Sequence, residues 1–338
     1  MAAPQTETIG LAAARALVAR AFTANGVPQA TAASVADALV AAEAEGQRGH
    51  GFTRVEDYVA QVRSGKIVAD APPVATRPAP GSLAIDAGYG FAFPALDLAR
   101  GQAGEIAAAQ GCVTVAITRS HHCGALSVQV DRLARQGLVA LMVANAPAAM
   151  APWGAATPFF GTNPIAFAAP RGDRPPLVID LSLSVVARGK VMAAHKAGEQ
   201  LPEGWALDAE GQPTTDPEAA LAGTMRPIGG AKGTALALMV EILASVVTAA
   251  TPSADASSFF DADGPPPGVG QWLLAFAPPE RAAAFGDRLD ALLARIEAME
   301  GTRLPGARRL DALAKAEAVG LTVRADMLAG LRALADGV

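Results

Sequence analysis

Short apolar runs alternate with longer segments of helical periodicity between residues 82 and 144. Each run carries at most one charged residue, which is typical of buried strands. Two segments with helical patterns separate these apolar runs: one passes through Leu96 and Ile106, and the other covers 125–136. The runs are 82–86, 111–117 and 137–144. This strand–helix alternation predicts a largely α/β fold.

The flanking segments have a different character. Residues 11–61 show helical periodicity, and the chain after about residue 278 is also mostly helical in pattern. The Pro-rich stretch 71–80 is extended and marks a boundary between the N-terminal helices and the α/β region.

Composition limits the classes of protein that the chain can belong to. Hydrophobic residues make up 51% of it, yet no run reaches the roughly 18 uncharged apolar residues of a membrane span. The nearest run, 234–250, is interrupted by Glu241, and we interpret it as a buried core helix. The first twenty residues lack the pattern of a signal peptide, so we expect a cytoplasmic protein. A net charge of −5 without a long basic run argues against nucleic acid as a partner.

Two of the four histidines, His121 and His122, are adjacent and follow the predicted strand 111–117. Strand ends are where α/β proteins place ligands, so chemistry is expected here. Cys123 comes next, but adjacent residues rarely ligate one metal ion and no second Cys/His cluster exists, so we expect no metal site. The other cysteine, Cys112, is predicted to be a small core residue.

A second candidate site lies at the start of a helix. Three glycines surround His50 in the segment 46–51 and let the backbone approach a ligand closely. Arg54 follows four residues later. A cation beside a titratable ring suits an anionic substrate with a reacting carbonyl.

Several other segments have the chemistry of anion or ribose binding. Thr162 lies in a turn, and Asp180 and Ser182 lie at a predicted strand end. Gly229, Gly230 and Lys232 precede the helix 234–250, where free N–H groups favour negative charge. Arg303, Arg308 and Arg309 are suited to a phosphate. The chain contains no GxGxxG fingerprint, so a dinucleotide would bind without a Rossmann loop.

Taken together, these segments resemble the type-2 malate/L-lactate dehydrogenase family, which also contains sulfolactate and ureidoglycolate dehydrogenases and Δ1-piperideine-2-carboxylate reductases. The stretches that carry the likeness are GHGFTRVEDYV, RSHHCGAL, APWG, GTNPIAFAAP, VIDLSLSVVARGK, EGWALDAEGQPTTDP, GGAKGTALALMVE and RLPGARR. The resemblance implies a non-Rossmann NAD(P)-binding α/β fold and a homodimer. It also implies hydride transfer between NADPH or NADH and C2 of a small carboxylic acid.

The resemblance implies a division into three parts. Residues 1–72 would be a helical segment that packs with the C-terminal helices, 73–280 the cofactor- and substrate-binding region, and 281–338 a C-terminal helical segment.

Site residues follow by matching position. His50 matches the proton donor of the imine reductases, and His122 matches the acid/base of the hydroxyacid dehydrogenases; which one donates here stays open. Substrate contacts would be Arg54, Thr162, Arg188 and Gly189. Cofactor contacts would be His122, Cys123, Gly124, Ala125, Leu126, Asp180, Leu181, Ser182, Gly229, Gly230, Lys232, Arg303, Leu304, Pro305, Gly306, Arg308 and Arg309.

Two positions depart from the pattern of the imine reductases. Gly49 stands where a serine usually precedes the histidine, and Lys190 stands where an aspartate follows the glycine of the Arg188–Gly189 motif. Both partners of an imine-type proton relay are therefore missing. This favours a 2-oxo or 2-hydroxy acid of the malate, lactate or sulfolactate type. Cyclic imino-acid reduction and a non-catalytic nucleotide-binding role are the alternatives.

Overall fold

The computed structural model describes residues 5–278 and 282–337. It is an α/β protein, as the sequence predicts, with helices packed around a mixed sheet. The helices are α1 (Leu11–Thr23), α2 (Gln29–Ala44), α3 (Thr53–Arg63), α4 (Ala92–Gln110), α5 (Leu126–Ala134), α6 (Arg188–Ala197), α7 (Pro217–Ala222), α8 (Ala231–Glu241), α9 (Ala282–Glu297), α10 (Ala307–Val319) and α11 (Ala325–Ala335). The strands are β1 (Thr6–Ile9), β2 (Val74–Ala79), β3 (Ser82–Asp86), β4 (Cys112–Ser120), β5 (Val139–Ala144), β6 (Ile165–Arg171), β7 (Arg174–Leu181), β8 (Ala206–Leu207), β9 (Pro213–Thr214), β10 (Thr224–Met225), β11 (Val269–Phe276) and β12 (Leu321–Arg324).

The central sheet has seven strands in the order β2-β3-β4-β11-β5-β6-β7. Among these strands only β3 and β4 pair in parallel, and the other neighbours are antiparallel. The Pro-rich stretch 71–80 therefore does more than mark a boundary, because β2 forms one edge of the sheet. Edge strands tolerate proline since one side makes no ladder hydrogen bonds.

The strand β4 places the histidines. Val113, Val115 and Ile117 alternate along it and are buried on one face, against α4 and α5. This period of two is the signature of a strand with one face in the core. The strand continues three residues beyond the predicted end at 117, and His121 follows it directly.

A second hydrophobic core joins the two ends of the chain. Residues of α1, α2 and α3 pack with Ala316, Leu328 and Leu331 of the C-terminal helices, and β1 pairs with β12. The helix α9 contacts β6 of the central sheet instead. The division of the chain at residues 72 and 280 stays a prediction.

Two interpretations of single segments are wrong. The segment 234–250 is not a buried core helix: α8 begins at Ala231, passes into a π-helical turn over Ile242–Val246, and leaves a wide apolar face exposed. The other face of this segment packs against β5 and β11 of the sheet. In the single chain only that face is covered. Cys112 is not a core residue, because it is the exposed first residue of β4. In the described ranges, no helix is long and apolar enough to cross a membrane.

Candidate active site

A cavity of about 580 Å³ lies where the end of β4, the start of α3, the end of β7 and the start of α6 meet. Residues from distant parts of the sequence line it together. Thirteen of the predicted site residues are among them: His50, Arg54, His122, Cys123, Gly124, Ala125, Leu126, Thr162, Asp180, Leu181, Ser182, Arg188 and Gly189.

A glycine-rich turn brings His50 to the cavity. The helix α2 is followed by Gly46 at φ +76°, a left-handed conformation that glycine adopts without strain, and then by a single 3₁₀ turn over Arg48–His50. The Glu43 carboxylate accepts a hydrogen bond of 3.0 Å from the N–H of Phe52 and lies where a side chain at Gly51 would be. The glycine at position 51 is therefore needed for this close approach.

Three aromatic side chains form a chain of hydrogen bonds. His50 Nδ1 lies 3.2 Å from His122 Nε2, and the other nitrogen of His122, Nδ1, lies 2.5 Å from the Tyr58 hydroxyl. Tyr58 is fully buried on α3, and both histidines are half-buried at the cavity wall. The structure thus joins His50 and His122 in one unit.

Burial determines the charge of these groups. It lowers the pKa of His50 to about 4, with the Arg54 charge as a second cause, and it lowers the pKa of His122 well below its usual range. Both rings are therefore neutral near pH 7. Burial also raises the pKa of the Tyr58 hydroxyl and raises that of the Cys123 thiol to about 12, so both keep their protons.

Arg54 is a cation of the cavity whose guanidinium is only partly hydrogen-bonded. Its Nε donates to the Gly49 carbonyl at 2.8 Å, and its guanidinium carbon lies 4.5 Å from the centre of the Phe260 ring. Its Nη1 is buried without a hydrogen bond, and the nearest carboxylate, on Asp57, is 3.6 Å away. A buried guanidinium with a free N–H group suits a bound carboxylate.

The loop 258–263 closes over this cluster, and sequence reasoning missed it. Phe259 contacts the rings of His121 and His122, at 5.2 Å between centroids in each case. The far end of α3 holds the loop: Gln61 donates to the carbonyls of Phe259 and Asp261, and Lys66 Nζ donates to Asp261 and Asp263. Two adjacent phenylalanines in a Pro- and Gly-rich loop are the signal that points to this covering role.

Tyr58 was also missed, because the sequence shows it only as one apolar position on a helix face. Its signal is its spacing from Arg54: residues four apart on a helix share a face, so both point toward the cavity side of α3. The sequence does not show that His122 lies there.

The opposite wall of the cavity fits a nicotinamide cofactor. Small residues such as Gly124, Ala146 and Ala148 leave room for a flat ring. Gly124 has φ +70°, and a Cβ there would lie 3.0 Å from Phe93. Asp180 accepts a hydrogen bond of 2.8 Å from the N–H of Ser127, and the Ser182 hydroxyl lies nearby along the chain, which suits a ribose.

The remaining predicted cofactor residues do not line the cavity: Gly229, Gly230, Lys232, Arg303, Leu304, Pro305, Gly306, Arg308 and Arg309. Three contacts show where the two segments that hold these residues lie. The ring of Trp153 lies 3.3 Å from a Cβ built on Gly230, and the N–H of Ile228 donates to the Leu183 carbonyl, one residue beyond Ser182. A Cβ on Gly306 would lie 2.7 Å from the Val178 carbonyl of β7, the strand that carries Asp180.

Within the segment 303–309, Arg309 is engaged inside the protein. Its Nη1 donates to Glu45 at 2.6 Å and its Nη2 to Asp131 at 3.0 Å. Arg303 and Arg308 are exposed, so they are the two arginines that a phosphate can reach in this structure. The cofactor role of the segment stays a prediction.

His121, His122 and Cys123 are adjacent in sequence but have different surroundings in the structure. The His121 ring is buried away from the cavity lining, and Cys123 belongs both to the lining and to the core of the sheet. Among the residues that the structure describes, no three His, Cys, Asp or Glu side chains are grouped as metal ligands would be.

Comparison with known proteins shows the family. The sequence pattern of the family described as malate/L-lactate dehydrogenase matches residues 9–332. The chain is 51% identical over 301 residues to the (2R)-3-sulfolactate dehydrogenase (NADP(+)) of Chromohalobacter salexigens, covering 89% of this chain and 90% of that protein. It is 39% identical over 343 residues to a Δ1-pyrroline-2-carboxylate/Δ1-piperideine-2-carboxylate reductase of Pseudomonas putida, covering 99% of each chain.

Solved structures agree with this assignment. The Δ1-piperideine-2-carboxylate reductase from Pseudomonas syringae pv. tomato superposes with a TM-score of 0.92 at 36% identity, over 97% of this chain and 100% of that chain. Sulfolactate dehydrogenase from Methanocaldococcus jannaschii gives a TM-score of 0.89 at 26% identity, over 98% of this chain and 97% of that chain. The chain belongs to the malate/L-lactate dehydrogenase family of oxidoreductases.

Proposed function

We propose that the protein is an NADPH-dependent oxidoreductase that interconverts a 2-oxo acid and a 2-hydroxy acid, and that its substrate carries a second anionic group, as 3-sulfopyruvate does. The observation that carries the proposal is the buried Nη1 of Arg54, which makes no hydrogen bond, beside the His50–His122 pair in one cavity. These groups are the ones that bind a carboxylate and supply a proton beside it.

The bound nicotinamide would supply hydride to C2 of the substrate. Arg54 would hold the carboxylate and fix C2 in position, and such positioning supplies several kcal/mol of barrier reduction in general, up to about 7–11 kcal/mol. As hydride and its electron pair reach C2, the electrons of the C–O π bond move to the oxygen. That oxygen takes one proton from a histidine of the pair, and solvent in the cavity returns a proton to that histidine afterwards, so charge and atoms balance.

A second cation in the cavity favours a dianionic substrate. Arg188 lines the same space at the start of α6, and its one hydrogen bond among the described residues is a long one, 3.4 Å, to the Leu221 carbonyl. Burial lowers the pKa of its guanidinium, since desolvation disfavours the charged form. A sulfonate or second carboxylate on C3 would offset that charge. The named activity of the Chromohalobacter relative, on 3-sulfolactate, supports this choice.

Cyclic imino-acid reduction is the second candidate. The relatives from Pseudomonas putida and Pseudomonas syringae carry that name, and the Phe260 ring against Arg54 would give a cyclic substrate an apolar wall. Gly49 and Lys190, in place of the serine and aspartate of the imine reductases, argue against it.

A panel of substrates tests the proposal. We expect kcat/KM with NADPH to be higher for 3-sulfopyruvate and oxaloacetate than for pyruvate by about tenfold to 100-fold, since a charge-assisted hydrogen bond contributes about 1.5–3 kcal/mol. The variant Arg188→Met should reduce this ratio toward one, while Arg54→Met should lower activity with every substrate. A preference for Δ1-piperideine-2-carboxylate would overturn the proposal. No fluorescence change on titration with NADPH would favour a non-catalytic relative.

We also propose that two copies associate through the exposed face of α8 and the π-helical turn after it, and that the protein is cytoplasmic. The observation that supports association is the row of exposed apolar residues: Leu236, Leu238, Met239, Ile242, Val246 and Val247. Single exposed apolar residues are ordinary, but a contiguous helix face of them is typical of an interface between subunits.

A further inference from the structure

Tyr58 lies behind the two site histidines and contacts only one of them. Its hydroxyl is 2.5 Å from His122 Nδ1, and its ring packs against Phe91, Phe93 and His121. Its side chain is 0% exposed and does not line the cavity. Tyr58 therefore cannot touch a substrate, and any effect that it has on catalysis passes through His122.

The direction of the hydrogen bond from Tyr58 follows from the available partners. In the described part of the chain the hydroxyl has no other hydrogen-bond partner, and it keeps its proton because burial raises its pKa. A phenol that faces one imidazole nitrogen and nothing else donates to that nitrogen. His122 Nδ1 is then the acceptor, and the single proton of the neutral ring is on Nε2.

The same reasoning carries on to His50. His122 Nε2–H faces His50 Nδ1 at 3.2 Å. The two rings are nearly parallel, inclined by 17° with centroids 5.2 Å apart, and these two nitrogens lie within hydrogen-bond distance of each other. His50 Nδ1 must accept, and the proton of His50 is therefore on Nε2. This nitrogen has no hydrogen-bond partner among the described residues and belongs to a ring that lines the cavity.

We propose that Tyr58 is a positioning residue that fixes the tautomers of both histidines, so that His50 Nε2–H is the donor to the oxygen at C2 of the substrate and His122 acts behind it. This inference rests on the proposed function. It assigns the donor role that the sequence left open between His50 and His122, and it gives His50 an orienting partner in a chain where Gly49 supplies no hydroxyl and Lys190 no carboxylate.

The variant Tyr58→Phe tests the proposal because it keeps the packed ring and removes only the hydroxyl. His122 is then free to carry its proton on Nδ1, which reverses the chain and leaves His50 Nε2 without a proton toward the cavity. We expect kcat to fall about tenfold to 100-fold, part of the 10²–10⁴-fold that a positioned proton donor contributes. KM should change little, because Arg54 still binds the carboxylate.

Two further measurements separate positioning from a merely structural role. In a His122→Gln background, Tyr58→Phe should have no further effect on kcat, since Tyr58 acts only through His122. Nitrogen NMR of histidine-labelled protein should show His122 as the Nε2–H tautomer in the wild type and a shift toward Nδ1–H in Tyr58→Phe. The other tyrosine, Tyr89, stacks on Arg119 away from the cavity, so Tyr89→Phe is the matched control and should retain wild-type kcat.

Three results would overturn the inference: His122 as the Nδ1–H tautomer in the wild type, an unchanged kcat in Tyr58→Phe, or additive losses in the double variant. The NMR measurement needs no substrate. If the tautomers are as expected but no 2-oxo acid is turned over, the proposed function fails; if 2-oxo acids are reduced but the tautomers are reversed, only the inference fails.

Discussion

His121 and His122 are neighbours in sequence with different surroundings. His122 bonds to Tyr58 and His50 at the cavity, whereas the His121 ring is 1% exposed and neither of its nitrogens has a partner among the described residues. Burial lowers the pKa of His121 to about 3, with the charges of Lys66 and Arg54 as smaller causes. His121 is therefore a neutral buried ring.

The low pKa of His121 predicts a stability that depends on pH. Its folded-state pKa lies below the ordinary value of 6.5, so the unfolded chain binds a proton that the folded chain does not. Stability is retained above pH 6.5 and is lost as the pH falls toward 3, by up to about 1.4 kcal/mol per pH unit. His50 and His122 act in the same direction, while the buried carboxyls of Glu43 and Glu45, whose pKa values are raised, act in the opposite direction at lower pH.

The variant His121→Leu isolates this contribution, since it removes a buried ring that makes no side-chain hydrogen bond. The quantity to compare is the melting temperature of the variant minus that of the wild type. We expect this difference to be larger at pH 5.5 than at pH 8, because only the wild type loses stability through His121 as the pH falls. Equal pH dependence of the two proteins would contradict a buried neutral His121.

For single residues, the sequence predicts which ones belong to the site better than it predicts what each of them does. The adjacent histidines at a strand end and the pair His50 and Arg54 were predicted as site residues, and the structure places His50, His122 and Arg54 in one cavity. Which histidine faces the core depends on the direction of the chain beyond Ser120, a tertiary feature without a local signal. The contact of Tyr58 with His122 could not be predicted for the same reason, although its spacing from Arg54 places it on the same side of α3.

At the scale of elements, the end of α3 and the loop 258–263 act together. Lys66 is buried, and its Nζ lies 2.6 Å from the Asp263 carbonyl and 3.1 Å from both the carbonyl and the carboxylate of Asp261. These contacts hold the loop whose phenylalanines cover Arg54 and His122.

The variant Lys66→Met should loosen this loop, because it keeps an unbranched, mostly apolar side chain and removes three donated hydrogen bonds. We expect amide hydrogen exchange in residues 258–263 to accelerate by about tenfold or more and KM for the 2-oxo acid to rise. The exposed Lys315→Met on α10 is the control and should leave both unchanged. Unaltered exchange in Lys66→Met would show that the loop is held by other contacts.

Helices and strands were predicted well where apolar residues repeat with a period of two residues, as in a strand, or 3.6 residues, as in a helix. The strand 82–86 is found at those residues, and β4, β5 and β7 differ from prediction by a few residues at their ends. The antiparallel order of most of the sheet was not predictable, because pairing partners such as β4 and β11 lie about 150 residues apart and no local pattern specifies them. The covering role of loop 258–263 depends on that same placement.

At the scale of the whole molecule, the exposed face of α8 is the interface of the dimer that we propose. We expect light scattering of the purified protein to give twice the mass of one chain. Val246, 69% exposed in the single chain, lies in the π-helical turn, and a charge there would have to be buried without a partner in a dimer. The variant Val246→Glu should therefore give the mass of one chain.

The control for this measurement is Val319→Glu at the end of α10, where the side chain is 61% exposed and lies outside α8. It should remain a dimer. A wild-type mass equal to one chain would contradict association. A Val246→Glu variant that stays dimeric while Val319→Glu becomes monomeric would place the interface elsewhere.

The proposed function requires a buried arginine and a histidine pair in one cavity to serve the reduction of a 2-oxo acid. Single-turnover oxidation of bound NADPH by 3-sulfopyruvate tests it most directly, in the wild type and in the separate variants His50→Gln and His122→Gln. We expect rapid hydride transfer in the wild type, a loss of about 10² to 10⁴-fold in His50→Gln, and a smaller loss in His122→Gln. Wild-type rates in both variants would contradict the account.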